Sequence, residues 1–202
     1  TQSRSSAASD VYKRQILGAF QSQFPNVKVS VADIVMEQVI NAVAEERVAL
    51  GFTFETEQLD GLLFYPMFTD EFIAVLPKLH PLSQQSSVTW NALAQSPFIA
   101  MNRGSAIRRW VDNHYEALEL KVNMVAEASQ LATLGQFVEH GLGVSIVPGL
   151  CQQQMQRLGL RCLPIEGDRL TKRVGMIRKV QGNMSVSAQA LWDWVIKHPL
   201  AE

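Results

Sequence analysis

The sequence predicts an α/β fold, and three observations carry that expectation. Apolar spacing alternates between the helical and the strand period along the chain; strand–turn–helix units stand in series in its middle; and 47% hydrophobic against 18% charged residues in 202 is enough apolar material for a packed core.

Thr1 to Gln15 show neither period, are rich in Ser, Ala and Arg, and are set aside as a non-native or disordered segment of read-through character. They lack the apolar stretch of about 7 to 15 residues that a secretory signal needs. Ile16, Leu17, Phe20 and Phe24 then recur at helical spacing, Pro25-Asn26 break the run, and Val27, Val29 and Val31 alternate with Lys28 and Ser30 as a strand would. Asp33 is placed to cap a helix with Val35, Val39, Ile40 and Val43 inward and Glu37, Gln38, Glu45 and Glu46 in water. Strands are expected at about Val48 to Phe54 and Phe72 to Leu76, the latter ending at Pro77.

The middle repeats the pattern. Pro97 to Met101 read as a strand, Asn102-Arg103-Gly104 as a turn, and Ser105 as the cap of a helix with Ile107, Trp110, Val111, Tyr115 and Leu118 on one face. A strand at Val122 to Ala126 leads to Ser129, read as the cap of a helix with Leu131, Leu134 and Val138 inward. Gly141 should end that helix in the left-handed conformation, before an apolar strand from Gly143 to Val147 stopped by Pro148. A helix near Gly149 to Leu158, strands near Leu160 to Leu163 and Arg173 to Lys179, and a helix from Ser185 to Lys197 complete the reading. The pattern leaves open one α/β domain or two small lobes.

Eighteen Lys and Arg against nineteen Asp and Glu give a net charge of -1, and -3 once Thr1 to Gln15 are removed, which excludes the broad basic footprint of sequence-independent nucleic-acid binding for this chain. Cys151 and Cys162 form no Cys-x-x-Cys or Cys/His cluster, so structural zinc and a disulfide framework are not expected and a reducing compartment, the cytoplasm, is. No apolar run reaches the roughly 18 to 20 residues of a membrane-spanning helix.

Catalytic signatures are mostly missing. Gly143-Val144-Ser145-Ile146-Val147 lacks the second glycine of a nucleophile elbow, so Ser145 reads as a strand residue, and Gly141-Leu142-Gly143 has Ile146 where a dinucleotide fingerprint needs glycine. His80, His114, His140 and His198 lack zinc-ligand spacing and read as loop or helix-end residues, so no metal is expected. Three helix starts after strands remain: Asp33, Asn102-Arg103-Gly104-Ser105, and Ala128-Ser129-Gln130. Unpaired N–H groups and the helix dipole suit such places to carboxylates, and Arg103 could add a bidentate contact. On spacing alone, plain capping is the simpler account.

Taken in order, FPNVKVSV, VALGFTFE, DEFIAVLPKLHPL, FIAMNRGSAIRRWVDNHY, AEASQLATLGQFVEHGLGVSIVPG and MIRK resemble the effector-binding domain of LysR-type transcriptional regulators, over about Ile16 to Pro199. The most specific parts are the His80-Pro81-Leu82 loop and Val138 to Pro148. The resemblance implies a type II periplasmic-binding-protein-like fold of two Rossmann-like lobes joined by two crossover strands, with a small effector in the cleft. Lobe I would be residues 16–74 and 179–202, lobe II residues 75–178, and the strands Phe72 to Leu76 and Val174 to Lys179 the hinges. The implied effector contacts are Ile34, Val35 and Thr53, with Asp33 beside them, from lobe I, and Asn102, Arg103, Gly104, Ser105, Ser129 and Pro148 from lobe II. Two departures stand out: Thr1 to Gln15 occupy the place of the family's first strand, and Val48 a position where the family often has Asp.

The resulting expectation is a cytoplasmic, homodimeric sensing domain of a bacterial transcription factor, without cofactor or enzymatic activity, that binds a small anionic or aromatic carboxylate and meets DNA only through a helix-turn-helix domain absent from this chain. A solute-binding protein of a transporter shares the lobes but requires export. An enzyme on the same fold would have Glu55 and His114 as its only loose acid–base candidates.

Overall fold

The computed structural model describes residues 16–198 apart from Asp33, Val35, Gln58 and Asn183. Expectations for Thr1 to Gln15, the Asp33 cap and Val35 lie outside these residues. Residues 16–23 form helix α1, followed by α2 (Met36–Ala44), β1 (Gly51–Phe54), β2 (Leu62–Leu76), β3 (Val88–Thr89), α3 (Trp90–Ala94), β4 (Phe98–Met101), α4 (Ala106–Ala117), β5 (Met124–Ala128), α5 (Leu131–Glu139), β6 (Ser145–Pro148), α6 (Gln152–Arg157), β7 (Arg161–Glu166), β8 (Thr171–Lys179) and α7 (Val186–Lys197). Short 3-10 turns at Pro81–Gln84 and Gly149–Cys151 complete the order.

Two compact units result. Unit 1 holds the described residues up to Thr69 and those from Lys172 onward; unit 2 is Asp70–Thr171. The chain changes unit at Thr69/Asp70 on β2 and at Thr171/Lys172 on β8, ahead of the positions at 74/75 and 178/179 expected from sequence. Ladder bonds explain the shift. Phe72 to Val75 pair with Pro148 to Ser145 inside unit 2, and Val174 to Ile177 pair with Phe54 to Gly51 inside unit 1.

In unit 1 the strand order is β1-β8-β2, and the period-2 rule assigns the two faces of β8. Met176 packs with Ile16, Phe20, Leu191, Trp192 and Val195 from α1 and α7, while Ile177 packs with Val43 of α2 and with Leu62. Val27 to Val31 form no strand, against the sequence expectation. Val27 and Val29 do pack on the α1/α7 cluster, but alternation selects a face and not a partner, and no ladder neighbour stands beside them among the described residues.

In unit 2, β6 and β7 pair antiparallel to β2, β3 runs parallel to β7, β5 runs parallel to β4, and β4 meets β6 through a parallel bridge between Phe98 and Val144. Alternation again sorts the core. Phe72, Ala74, Phe98, Ala100 and Ile146 face Trp90, Leu93, Val111 and Tyr115 of α3 and α4; Val75, Ile99, Met101 and Val147 face Leu134, Val138 and Met155 of α5 and α6. The strand expected at Val122 to Ala126 lies at Met124–Ala128, because the parallel register with β4, Ile99 opposite Ala126, sets its ends. β2 is much longer than the expected Phe72 to Leu76: it starts at Leu62 and runs through Pro66.

The His80-Pro81-Leu82 loop is a capping device. His80 Nδ1 accepts the Leu82 N–H at 3.2 Å, which fixes its neutral tautomer, and burial lowers the imidazole below its ordinary value. The other histidines also rest on neighbours: His114 packs against Trp90 with the rings tilted by 40°, His198 stacks on Trp194, and His140 Nδ1 lies 2.8 Å from the Gln136 carbonyl. Ser145 is a strand residue, buried, donating to the Ile99 carbonyl at 2.7 Å.

Candidate functional site

Each unit contributes its expected residues separately. In unit 1, β1 holds Thr53 opposite Gly175, buried, with an Oγ1 that has no hydrogen-bond partner among the described residues. Ile34 stands half-buried ahead of α2. Glu55, just beyond β1, is tied to Arg173 by a doubly bonded ion pair, so its carboxylate is already engaged.

In unit 2, parallel pairing brings the ends of β4 and β5 side by side and so gathers most of the expected residues. The Asn102 N–H donates to the Ala128 carbonyl at 2.8 Å, and Asn102 Nδ2 reaches Ser129 Oγ at 3.4 Å. Asn102 O accepts the Ser105 N–H at 3.0 Å, closing the turn through Arg103 and Gly104, and the Gly104 carbonyl accepts from Arg109 at 3.4 Å. The Arg103 side chain projects into solvent, 88% exposed, with Nε 3.9 Å from Glu127 Oε1. Pro148 belongs to a different strand: it is buried at the end of β6 opposite Phe72.

The expected cap position holds at α4 and not at α5, and at neither helix does a side chain make the capping bond. Ser105 occupies the N-cap of α4 with extended backbone, but its hydroxyl makes no capping bond; at α5 the N-cap is Gln130, not Ser129, and it too makes none. Elsewhere the sequence does cap: Thr89 accepts the Ala92 N–H of α3 and Ser185 the Ala188 N–H of α7, both at 3.2 Å. The α5 register follows from β5 ending at Ala128, which leaves Ser129 turned toward Asn102. Ser105 and Ser129 thus hold their hydroxyls free of their own helices, as capping alone would not require. Ser105→Ala should therefore lower stability by less than ~0.5 kcal/mol in urea unfolding while Ser185→Ala lowers it by ~1 kcal/mol. Equal losses would mean that Ser105 caps after all.

Sequence reading missed the residues behind this turn. Arg108 is 6% exposed, and its Nη1 donates to the Met101 carbonyl and to Glu127 Oε1, both at 3.0 Å, while Nε donates to Asp112 at 2.5 Å. Burial alone would lower the guanidinium; the hydrogen bonds to Asp112 and Glu127 outweigh it and raise it further. The signal was present: Arg108, Val111 and Tyr115 share one helical stripe, which puts a cation on the buried face. Asp70 was also missed. It is 7% exposed at the start of unit 2, Oδ1 accepting the Leu150 N–H at 3.0 Å and Oδ2 having no partner among the described residues. Burial is the main cause that raises its carboxyl to about 7, opposed by the Leu150 bond.

Two α/β units, with the chain passing out along β2 and back along β8, define a type II periplasmic-binding-protein-like protein. The profile described as LysR substrate binding domain matches residues 5–199, and the chain belongs to that family; the match begins inside the segment that the sequence set aside. CmpR, a transcriptional activator of Synechocystis, is 24% identical over 91% of this chain and 61% of its own length. The effector-binding domain of QuiR in complex with shikimate superimposes with a TM-score of 0.84 at 16% identity, covering 92% of this chain and 88% of that one. The regulatory domain of Synechocystis CcmR in complex with 2-PG gives 0.82 at 20%, covering 95% and 93%. The chain spans about half the length of the curated relatives it matches, 46%, 57% and 61% of the first three.

Proposed function

We propose that this chain is the effector-sensing part of a LysR-type transcription factor, taking a small anionic or aromatic carboxylate at Asn102, Arg103, Gly104, Ser105 and Ser129 of unit 2, with Ile34, Val35 and Thr53 of unit 1 and Pro148 completing the set that the family resemblance implies. The observation that carries this reading is the turn after β4. The Ser105 and Ser129 hydroxyls make no capping bond, and Arg103, in the turn with Ser105, is 88% exposed; hydroxyls and a guanidinium are donors suited to a carboxylate. The chemistry is recognition without turnover. The effector's differential affinity for two conformations would bias the geometry of a cytoplasmic homodimer, whose DNA contacts lie in a helix-turn-helix domain outside this chain. β5 supports the homodimer reading, since this strand exposes Met124 and Val125 and its outer edge has no ladder partner among the described residues. No helix among the described residues is long and apolar enough to cross a membrane.

The test is a thermal-shift screen of the purified domain against carboxylates, beginning with shikimate and 2-PG. A ligand present at about 100 times its Kd should add ~2.7 kcal/mol of stability. Arg103→Ala should then weaken that ligand about tenfold or more without changing the midpoint of the free protein. Unchanged affinity would remove Arg103 from the site.

A further inference from the structure

The buried guanidinium of Arg108 fixes a carboxylate beside the one guanidinium that the proposed effector site leaves in solvent. We propose that Glu127 is a specificity-determining residue of the turn at Asn102–Ser105, a built-in counter-ion that competes with incoming anions for Arg103, and that Arg108 is the positioning residue that holds it there. This rests on the reading of that turn as an effector site.

Four observations carry it, all within unit 2. Glu127 lies opposite Ala100 in the β4–β5 ladder, two residues before Ser129, so its backbone belongs to the strand that presents the site. One oxygen, Oε1, takes the Arg108 bond at 3.0 Å and also lies 3.9 Å from Arg103 Nε. Arg108 cannot wander, because it is buried and also bound to the Met101 carbonyl at the end of β4 and to Asp112 one turn further along α4. Arg103, by contrast, is 88% exposed and has no such restraint. The carboxylate is therefore the fixed member of the pair and Arg103 the mobile one.

Around the turn Arg103 and Arg108 face Glu127 and Asp112, and Arg109, exposed and donating to the Gly104 carbonyl, leaves one positive charge in excess. An arriving carboxylate meets Arg103 already part-neutralised, and any second anionic group near Glu127 meets a fixed like charge. The turn thus favours ligands with a single negative group at this end. Because Glu127 is part-exposed, the penalty on a monoanion is modest.

Formate is a sufficient probe, being the smallest carboxylate, and its binding can be followed through the backbone amides of Gly104, Ser105 and Ser129 by NMR titration of the whole chain. Glu127→Gln retains an acceptor for Arg108 and is expected to tighten formate roughly two- to fivefold. In an Arg103→Gln background the same change should have no effect, which separates competition for Arg103 from rearrangement of the turn. A well-dispersed spectrum of each variant checks the fold, and Arg108→Lys, which retains the charge but loses the planar fork, should give an intermediate gain. If these amides respond in the parent and Glu127→Gln leaves the affinity unchanged, or if the gain persists without Arg103, the role of Glu127 is overturned while the site stands. If formate moves none of these amides in any variant, the site reading itself fails and takes the proposal with it.

Discussion

Gly143→Ala is expected to cost more than ~3 kcal/mol and to unfold unit 2 under mild denaturant, while Gly141→Ala two residues away costs only ~1 kcal/mol. A Cβ on Gly143 would stand 2.2 Å from the Pro97 carbonyl oxygen and 2.8 Å from its carbon, both backbone atoms that cannot rotate aside. That carbonyl accepts the Val144 N–H at 2.8 Å, and Ile99 donates to the Val144 carbonyl at 2.8 Å, so the clash falls on the bonds joining β4 to β6. Both core clusters of unit 2 cross this junction: Phe98, Val144 and Ile146 on one face, Ile99 and Val147 on the other. Relief by backbone movement would open the ladder and both packed layers. Gly141 has φ +76° with nothing near its missing Cβ, so alanine there meets only left-handed strain. Urea midpoints of the two variants should differ widely; similar midpoints would show that the β4–β6 junction yields more easily than its geometry implies.

The second large effect is a pH dependence centred on Asp70. Its carboxyl is raised from an ordinary 3.8 to about 7. Between those values the folded protein holds a proton that the unfolded chain has released, so this group's contribution to stability is greatest below pH ~4, falls as pH rises toward 7 and is flat above. At about 1.4 kcal/mol per pH unit the full loss is of order 4 kcal/mol. Glu71 is the neighbouring charge that adds to the effect of burial, itself partnered by Arg169 at 3.5 Å, and Cys151 is the titratable group facing Asp70 from the turn after β6. Asp70→Asn keeps an acceptor for the Leu150 N–H and removes the charge. Its thermal midpoint should match the parent's near pH 4 and exceed it increasingly up to pH 7.5. A constant difference across that range would show that Asp70 titrates normally.

The elements were legible wherever one face is buried. The period of Ile107, Val111 and Tyr115 announced α4, because burial on a fixed face is what periodicity records, and the continuous apolar run from Phe98 to Met101 announced β4, which is buried on both faces. The left-handed Gly141 was legible for the same local reason. What failed were features decided by distant chain. Val27 to Val31 have strand chemistry without a ladder partner among the described residues, and β2 extends through Pro66 because β8 stands beside it. At the candidate site, Asn102 and Ser129 were legible as helix-start residues, yet their hydrogen bond depends on β4–β5 register, which no local spacing contains. Arg108 and Asp70 were hidden because a charged residue is ordinarily assigned to water. Arg108 could have been read from its position on an apolar stripe; Asp70 could not, since its burial depends on Gly149 and Leu150 approaching from nearly eighty residues away.

The discontinuity of unit 1 constrains the order of assembly on the ribosome. Among the described residues unit 2 is one uninterrupted stretch, so every described strand and helix that covers its core has been synthesised once Thr171 is added. Unit 1 at that moment has α1, α2, β1 and the first half of β2, but not β8, which lies between β1 and β2, nor α7, whose Leu191, Trp192 and Val195 cover Met176. β1 and β2 have no common neighbour until Lys172 to Lys179 emerge, so the earlier-made half waits with its apolar faces open while the later-made unit is already able to close.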